Sequence, residues 1–462
     1  MHGVKKTPAS EAQLATYRKE RDQKLQIYLE IRNRIFEKRE KNEYDEEMLD
    51  QTAALLKKNP DVYTFWNIRR DVFSILTQKK EDETDEQYKD RLKSMYDDEL
   101  KLTYKGIEAN PKSYSAWYHR GWVLQQHPEP DLRAELALCE KSLSFVDCRN
   151  FHCWDHRRIV AKMAGLDANE ELEFSNRLIK LNPSNYSAWH YRGTLFQKMH
   201  KEEGKNPERL LEDKVVADEL ETVKNVCAYN SEDQTAWTYC RWLCEALCTK
   251  VENKTVIVHA AKKSANSVSL TFSSAINSDE VQEFVNFKDN QCVLEKVSKF
   301  GAPAHKYSVV HKWNLISGAD NLDGLLLRLG DTDSKLPDDG AFFNVEYLQK
   351  FYSFGSKCET EEARRALAGV VEMCEGLMQE EEDIPWEVLM LSRMLPLLEG
   401  HNAEVAERVH DLLDKTIKLD PQRTQVYRAM QQRIERAKSL QAQGNENPQA
   451  LYDFFLVSKS LD

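Results

Sequence analysis

One pattern, N-P-x-x-Y-x-x-W-x-x-R, recurs along the chain and limits its fold more than any other feature. Its copies begin at Asn59-Pro60, Asn110-Pro111, Asp147-Cys148, Asn182-Pro183 and Asn230-Ser231. Their tryptophans are Trp66, Trp117, Trp154, Trp189 and Trp237, at separations of 51, 37, 35 and 48 residues. The longer gaps hold polar insertions such as Lys79–Glu86 and Lys201–Glu208. The arginine recurs as Arg69, Arg120, Arg157 and Arg192, and is displaced by one place to Arg241 in the fifth copy. Asn or Asp before Pro reads as a helix N-cap followed by Pro at the first helical position. Tyr and Trp three apart then share a face, and Arg extends it. Both aromatics read as core, and the arginine as an inter-repeat hydrogen-bonding residue. Upstream of each cap lies a second amphipathic stretch, for example Leu92, Met95, Tyr96, Leu100, Tyr104 and Ile107. Each unit is therefore predicted to be a helical hairpin. Such hairpins stack into a right-handed solenoid, each covering its neighbour's apolar face.

Composition agrees and removes other classes. Only 16 Gly and 13 Pro occur in 462 residues, too few for a turn-rich all-β chain. Nine Trp argue for packed cores rather than disorder. No apolar run approaches the length of a membrane span, and the start Met1-His2-Gly3-Val4-Lys5-Lys6 lacks the apolar stretch of a secretory signal. The ten Cys form no CxxC pair and read as reduced thiols, so a cytoplasmic location is expected. A net charge of −12 argues against nucleic-acid binding.

The class expected is mainly α: a superhelical solenoid of hairpins over residues 1–250, interrupted by a small β-sandwich over 251–350. Helices resume over 351–440, and 441–462 form a polar tail. Strands are predicted at Thr255–His259, Ser267–Phe272, Cys292–Val297, Tyr307–His311 and Leu325–Leu329. A long helix is predicted over 9–41, with Ser10 and Gln13 as a capping box. Leu419-Asp420-Pro421 through Tyr427 reads as a sixth repeat that has lost its Trp, which would make the β domain an insertion in the helical array.

At this multiplicity the motif resembles the α-subunit repeat of the protein prenyltransferases. Within that family the chain is more similar to the α subunits of the type II, Rab-modifying geranylgeranyltransferases than to the α subunit shared by the CaaX enzymes. The start Met1-His2-Gly3, the β domain after the fifth repeat and the third repeat Arg149-Asn150-Phe151-His152-Cys153-Trp154-Asp155 carry that resemblance. The longer type II α subunits end in leucine-rich repeats. No L-x-x-L-x-L-x-x-N series occurs, so the chain reads as a form without them. The resemblance also implies an immunoglobulin-like β domain.

The resemblance implies an activity and its parts. The chain would be half of an obligate heterodimer whose β subunit binds the catalytic zinc and most of the lipid pocket, with magnesium a second candidate cofactor. Geranylgeranyl diphosphate would be the donor. Rab GTPases, presented by an escort protein, would accept the lipid on C-terminal cysteines. Lys112, which by itself reads as a solvated lysine on a first helical turn, is implied to reach the diphosphate across the subunit boundary. His152 is implied as a histidine near the substrates. Tyr114, Arg149 and Asn150 are implied as substrate-binding neighbours, with solvated or structural roles open for Arg149. Ser115 stands where the CaaX subunit has a glutamine that holds the substrate carboxylate. His2 is implied as an autoinhibitory ligand to the β-subunit zinc, although a terminal histidine alone reads as unstructured. Cys240, Cys244 and Cys248, spaced four apart, read as core. His152 and His156 read as structural or hydrogen-bonding residues rather than a metal pair. Two other readings compete: a tetratricopeptide-like scaffold, whose 34-residue period is close to the spacings here, and the CaaX α subunit itself.

Overall fold

The computed structural model describes residues 11–202, 210–248, 255–276, 278–286, 292–296, 310–317, 325–329, 332–335, 341–343, 360–380, 384–400 and 402–442. His2, Ser10, the turn at Gly301-Ala302-Pro303 and the tail beyond 442 lie outside the described residues. The chain divides into two compact units, 1–181 and 182–462, each taken by itself below.

Among its described residues the first unit holds helices and no strand. It contains α1 (Glu11–Glu40), α2 (Glu46–Leu56), α3 (Tyr63–Leu76), α4 (Asp85–Ala109), α5 (Tyr114–Gln126), α6 (Leu132–Phe145), α7 (Phe151–Met163) and α8 (Ala168–Leu181). Pairs α2/α3, α4/α5 and α6/α7 are the expected hairpins, joined by Asn-Pro turns in the first two and by Asp147-Cys148 in the third.

Those turns differ from the cap expected. The Asn before Pro does not cap the second helix. Asn59, Asn110 and Asp147 instead accept, through Oδ1, the backbone N–H two residues on: Asp61 at 3.2 Å, Lys112 at 3.1 Å and Arg149 at 3.0 Å. A side-chain oxygen bonding two residues ahead makes an Asx turn. The N-cap comes three residues after the Asn. Ser113 caps α5 and Asn150 caps α7 with their side chains. Pro60 and Pro111 thus sit in the turn, not at the first helical position. The prolines' carbonyls are used twice. Pro60 O accepts Trp66 Nε1 at 2.8 Å and Ser113 Oγ at 3.2 Å. Pro111 O accepts Trp117 Nε1 at 2.9 Å and Asn150 Nδ2 at 2.7 Å. Each turn is thereby pinned to its own helix and to the next hairpin. Gly106 permits this approach, because a Cβ there would lie 3.3 Å from Pro60 Cβ. Trp117→Phe removes one donor from Pro111 O and is expected to lower stability by about 1 kcal/mol, measured as a downward Tm shift.

The tryptophans are core, but the repeat tyrosine is not. Trp66, Trp117 and Trp154 are at most 4% exposed, whereas Tyr63, Tyr114 and Phe151 are 66%, 70% and 52% exposed. This corrects the shared-face expectation. The aromatic is the first helical residue, and side chains there lean beyond the helix end rather than onto the neighbouring helix.

The arginines do join repeats. Arg69 in α3 forks onto Glu99 of α4, with Nε–Oε1 at 2.8 Å, and reaches Thr52 of α2 at 2.8 Å. Arg120 in α5 forks onto Glu135 of α6, both bonds at 2.6 Å, and reaches Thr103 of α4 at 2.9 Å. Arg157 in α7 forks onto Glu171 of α8 at 3.1 and 2.6 Å. Each arginine therefore binds its own hairpin and the next.

The second unit repeats the device with α9 (Tyr186–Glu202), α10 (Asp213–Tyr229) and α11 (Gln234–Cys248). Arg192 forks onto Glu219, and Tyr239 donates to the same carboxylate at 3.0 Å. Trp189 and Trp237 are buried, and their Nε1 groups bond Pro183 O and Ser231 O.

The β domain follows, with β1 (Ile257–Ser264), β2 (Ser267–Ile276), a short α12 (Ser278–Gln282), β3 (Val285–Asn286), β4 (Cys292–Lys296), β5 (Val310–Ser317), β6 (Leu326–Leu329), β7 (Thr332–Ser334) and β8 (Ala341–Phe343). One antiparallel sheet runs β4-β5-β2-β1-β8; a second runs β3-β6-β7. They share one core containing Phe272, Trp313, Leu315, Leu325 and Leu327. The strand predicted at Tyr307–His311 is found further on. Its centre is Trp313, opposite Leu270 of β2, and 307–309 lie outside the described residues.

Helices return as α13 (Glu361–Glu380), α14 (Pro385–Glu399), α15 (Ala403–Leu419), a single 3-10 turn at Pro421–Arg423, and α16 (Thr424–Ala442). Helix α13 packs on α10, and α14 packs on α11. Thr360 Oγ1 bonds Asp213, and Trp386 Nε1 bonds Glu232 O at 3.0 Å. The helical array therefore closes across the β domain, which is an insertion. In the sixth turn Tyr427 stands six residues after Pro421, the place of Trp in the other copies, and is 1% exposed.

Candidate functional site

The sequence-predicted residues of the second and third repeats come together where α5 and α7 begin. Lys112 does not lie on the first turn of a helix. It lies in the Asx turn ahead of Ser113, is 73% exposed, and its Nζ is 3.5 Å from Asp147 Oδ2. An exposed pair at that distance holds little energy and leaves the ammonium available to other anions.

Asn150 is buried. Its Oδ1 accepts His152 N and Cys153 N at 3.1 and 3.3 Å, while its Nδ2 donates to Pro111 O. It sets the start of α7 against the turn that carries Lys112. Replacing Asn150 with Ala removes both the cap and the cross-turn bond. The expected loss is about 1–2 kcal/mol by chemical denaturation; Asn150→Asp keeps the cap and is expected to lose less.

His152, fixed by that cap, is 8% exposed. Its ring stands edge-on to Tyr114, with centroids 4.1 Å apart and planes at 81°. Burial pushes its pKa down; nearby Asp155 and a hydrogen bond to the Lys112 backbone oppose that without reversing it. The imidazole is therefore neutral at pH 7. Its Nε2 is buried and has no hydrogen-bond partner among the described residues. A neutral ring nitrogen so placed can exchange one hydrogen bond with a ligand.

Two contributors were not singled out from sequence. Phe151 packs 5.7 Å from Tyr114, and Asp147 positions both Lys112 and the backbone of Arg149. Phe151 was legible as the third repeat's substitute for Tyr. Asp147 was legible only as a substitute for Asn. Arg149 is exposed on the same turn. His2 lies outside the described residues, so no position is given to it.

The assembled surface carries an ammonium and two exposed aromatic rings over a buried neutral imidazole, and it is open. It can meet an oxyanion and an apolar chain together, but it encloses neither. Among the described residues no three His, Cys, Asp or Glu side chains are placed to hold a metal ion. Cys240 and Cys244 are fully buried; the side chain of Cys248 is outside the described set. No described helix is long and apolar enough to cross a membrane.

The protein prenyltransferase alpha subunit repeat matches residues 96–127, 168–199 and 216–247. The geranylgeranyl transferase type-2 subunit alpha of Bos taurus is 42% identical over 243 residues, covering 53% of this chain and 41% of that protein. The chain thus spans about two fifths of the length of the mammalian relatives it matches. The Saccharomyces cerevisiae protein of the same description is 31% identical over 252 residues, covering 52% of this chain and 72% of that protein. The Dictyostelium discoideum one is 36% identical over 245 residues, covering 53% of this chain and 74% of its own length. With a relative so covered, and with the repeat itself matched, the chain belongs to the family of geranylgeranyl transferase type-2 alpha subunits.

Proposed function

We propose that the chain is the α subunit of a heterodimeric Rab geranylgeranyltransferase. The observation that carries this reading is the open half-site at the starts of α5 and α7. Lys112 and Tyr114 are about three-quarters exposed, beside a buried His152 whose Nε2 lacks a partner. Such a surface is completed by a second chain, here a β subunit. In the reading, Lys112 holds the diphosphate of geranylgeranyl diphosphate as negative charge grows on it during C1–O cleavage. Tyr114 and Phe151 present apolar faces beside it, and Asn150 keeps the two turns in register. The acceptors are C-terminal cysteines of Rab GTPases delivered by an escort protein. Two C20 chains supply the double anchor that stable membrane attachment needs.

In the same reading the zinc ion is held by the β subunit; among the described residues no three His, Cys, Asp or Glu side chains are placed to hold one. Magnesium is the second candidate cofactor in the same reading. His2 as an autoinhibitory ligand, a cytoplasmic location and an immunoglobulin-like identity for the β domain remain parts of the same proposal.

The test is co-expression with candidate β subunits, followed by Rab prenylation with and without escort protein. A stable heterodimer active only with escort supports the reading. A folded chain that pairs with no β subunit overturns it.

A further inference from the structure

The arginine ladder ends in the second unit, and what replaces it has the form of a binding site. In the fifth repeat Cys240 occupies the ladder position, fully buried, and Arg241 is displaced by one residue on α11. Its side chain is 40% exposed. It shares a carboxylate with Arg393 of α14: Arg241 Nε lies 3.7 Å and Arg393 Nη1 3.5 Å from the same oxygen, Glu245 Oε1. Both distances exceed the roughly 2.7–2.9 Å of a charge-assisted bond. The ladder pair Arg120–Glu135, by contrast, closes at 2.6 Å twice. Arg241 Nε and Arg393 Nε are buried and have no hydrogen-bond partner among the described residues. Burial pushes the Arg393 pKa down. The like charges of Arg241 and of Arg433 on α16 act the same way, while Glu245 and Tyr427 oppose them. Two guanidinium groups from two helices thus converge on one carboxylate, each with an unused Nε donor, and the charge of Arg433 is close enough to act on Arg393.

We propose that Arg241 and Arg393, with Arg433 alongside, form a phosphate-binding site on the second unit, one that shares no residue with the Lys112 surface. A carboxylate offers two oxygens, and Glu245 already supplies one such group without closing the bonds. A phosphate or diphosphate presents enough acceptor oxygens to engage two guanidinium forks together. Glu245 then acts as the competing internal anion that a ligand displaces.

The test titrates the full chain with inorganic phosphate and, separately, inorganic diphosphate, read by calorimetry. Saturable binding is expected for at least one of them. Arg241→Gln, a change at a half-exposed side chain, is expected to weaken it at least tenfold. Glu245→Gln is expected to tighten it several-fold, a direction that damage to the fold cannot imitate. Lys112→Ala is expected to leave it unchanged. Absence of saturable binding to either anion overturns the proposal. So does equal affinity in Arg241→Gln and the unmodified chain, or binding lost with Lys112→Ala and kept with Arg241→Gln.

Discussion

Lys112→Ala is expected to slow isoprenoid transfer by about 100-fold while the heterodimer assembles as before. The size follows from the loss of one preorganised charge at a site where negative charge develops, about 10²–10³ in rate. The selectivity follows from geometry. Lys112 is 73% exposed and has only a 3.5 Å contact with Asp147, so its removal unpacks nothing. Single-turnover transfer from geranylgeranyl diphosphate measures the rate, and gel filtration with the β subunit measures assembly. Lys112→Arg should recover part of the rate, because charge is kept while the point-like ammonium is exchanged for a planar fork. A variant that no longer pairs would make Lys112 a structural residue. Unchanged transfer would remove it from the site.

Glu135→Ala is expected to destabilise the fold by about 3–5 kcal/mol. Glu135 accepts both bonds of the Arg120 fork and lies 2.6 Å from His156 Nε2. All three side chains are nearly buried. Removing the carboxylate leaves a guanidinium and an imidazole unpaired in the core, between two hairpins. Equilibrium unfolding should show a large drop in midpoint. Replacing Arg120 and Glu135 together by apolar residues should be milder than Glu135→Ala, because no buried charge is then orphaned.

The same carboxylates set an acid limit. Burial alone would raise the Glu135 pKa, but the His156 hydrogen bond and the Arg120 pair outweigh it and hold it at about 2. Glu99 is likewise held at about 2 against its burial, chiefly by Arg69 with help from His119. Both folded values lie below the ordinary 4.5. On acidification the unfolded chain binds these protons first. The stabilisation is complete above about pH 4.5 and is lost as pH falls towards 2. His119 adds to this from higher pH. Burial lowers its pKa below 6.5 despite Glu99, so the unfolded chain also takes up that proton first. A denaturation series from pH 7 to pH 3 should show stability falling with acid, with a shallower slope in Glu135→Ala.

The ladder was only half legible in sequence. The arginines announce themselves by position, and their bridging role was expected. Their partners are invisible to a hydrophobic-period reading, which takes Glu as surface. On α4 that reading selects Leu92, Met95, Tyr96, Leu100, Tyr104 and Ile107; Tyr96 and Ile107 are buried and Leu92, Met95 and Leu100 pack against the Tyr96 cluster, but it passes over the buried Glu99, Thr103 and Gly106. A recurrence does exist, since Glu99, Glu135, Glu171 and Glu219 stand 18 or 19 residues before a repeat Trp. The tyrosines failed in the opposite sense, because spacing alone does not say that the first residue of a helix leans past the packed layer.

The sequence by itself determined the repeat, the alternation of hairpins, the change to strands after Lys250 and the tryptophan core, because these follow from local periods of side-chain chemistry. It also marked Lys112, Tyr114, Asn150 and His152 through the family pattern. Only the tertiary structure decided that the Asn-Pro turn pins one hairpin to the next, that α13 resumes on α10 across the β domain, and that His152 is buried with a spare nitrogen beside an exposed lysine. The reason is that a buried polar group's partner can lie anywhere in the chain. Where Asn150 finds Pro111 is settled by the packing of whole helices, which no local period encodes.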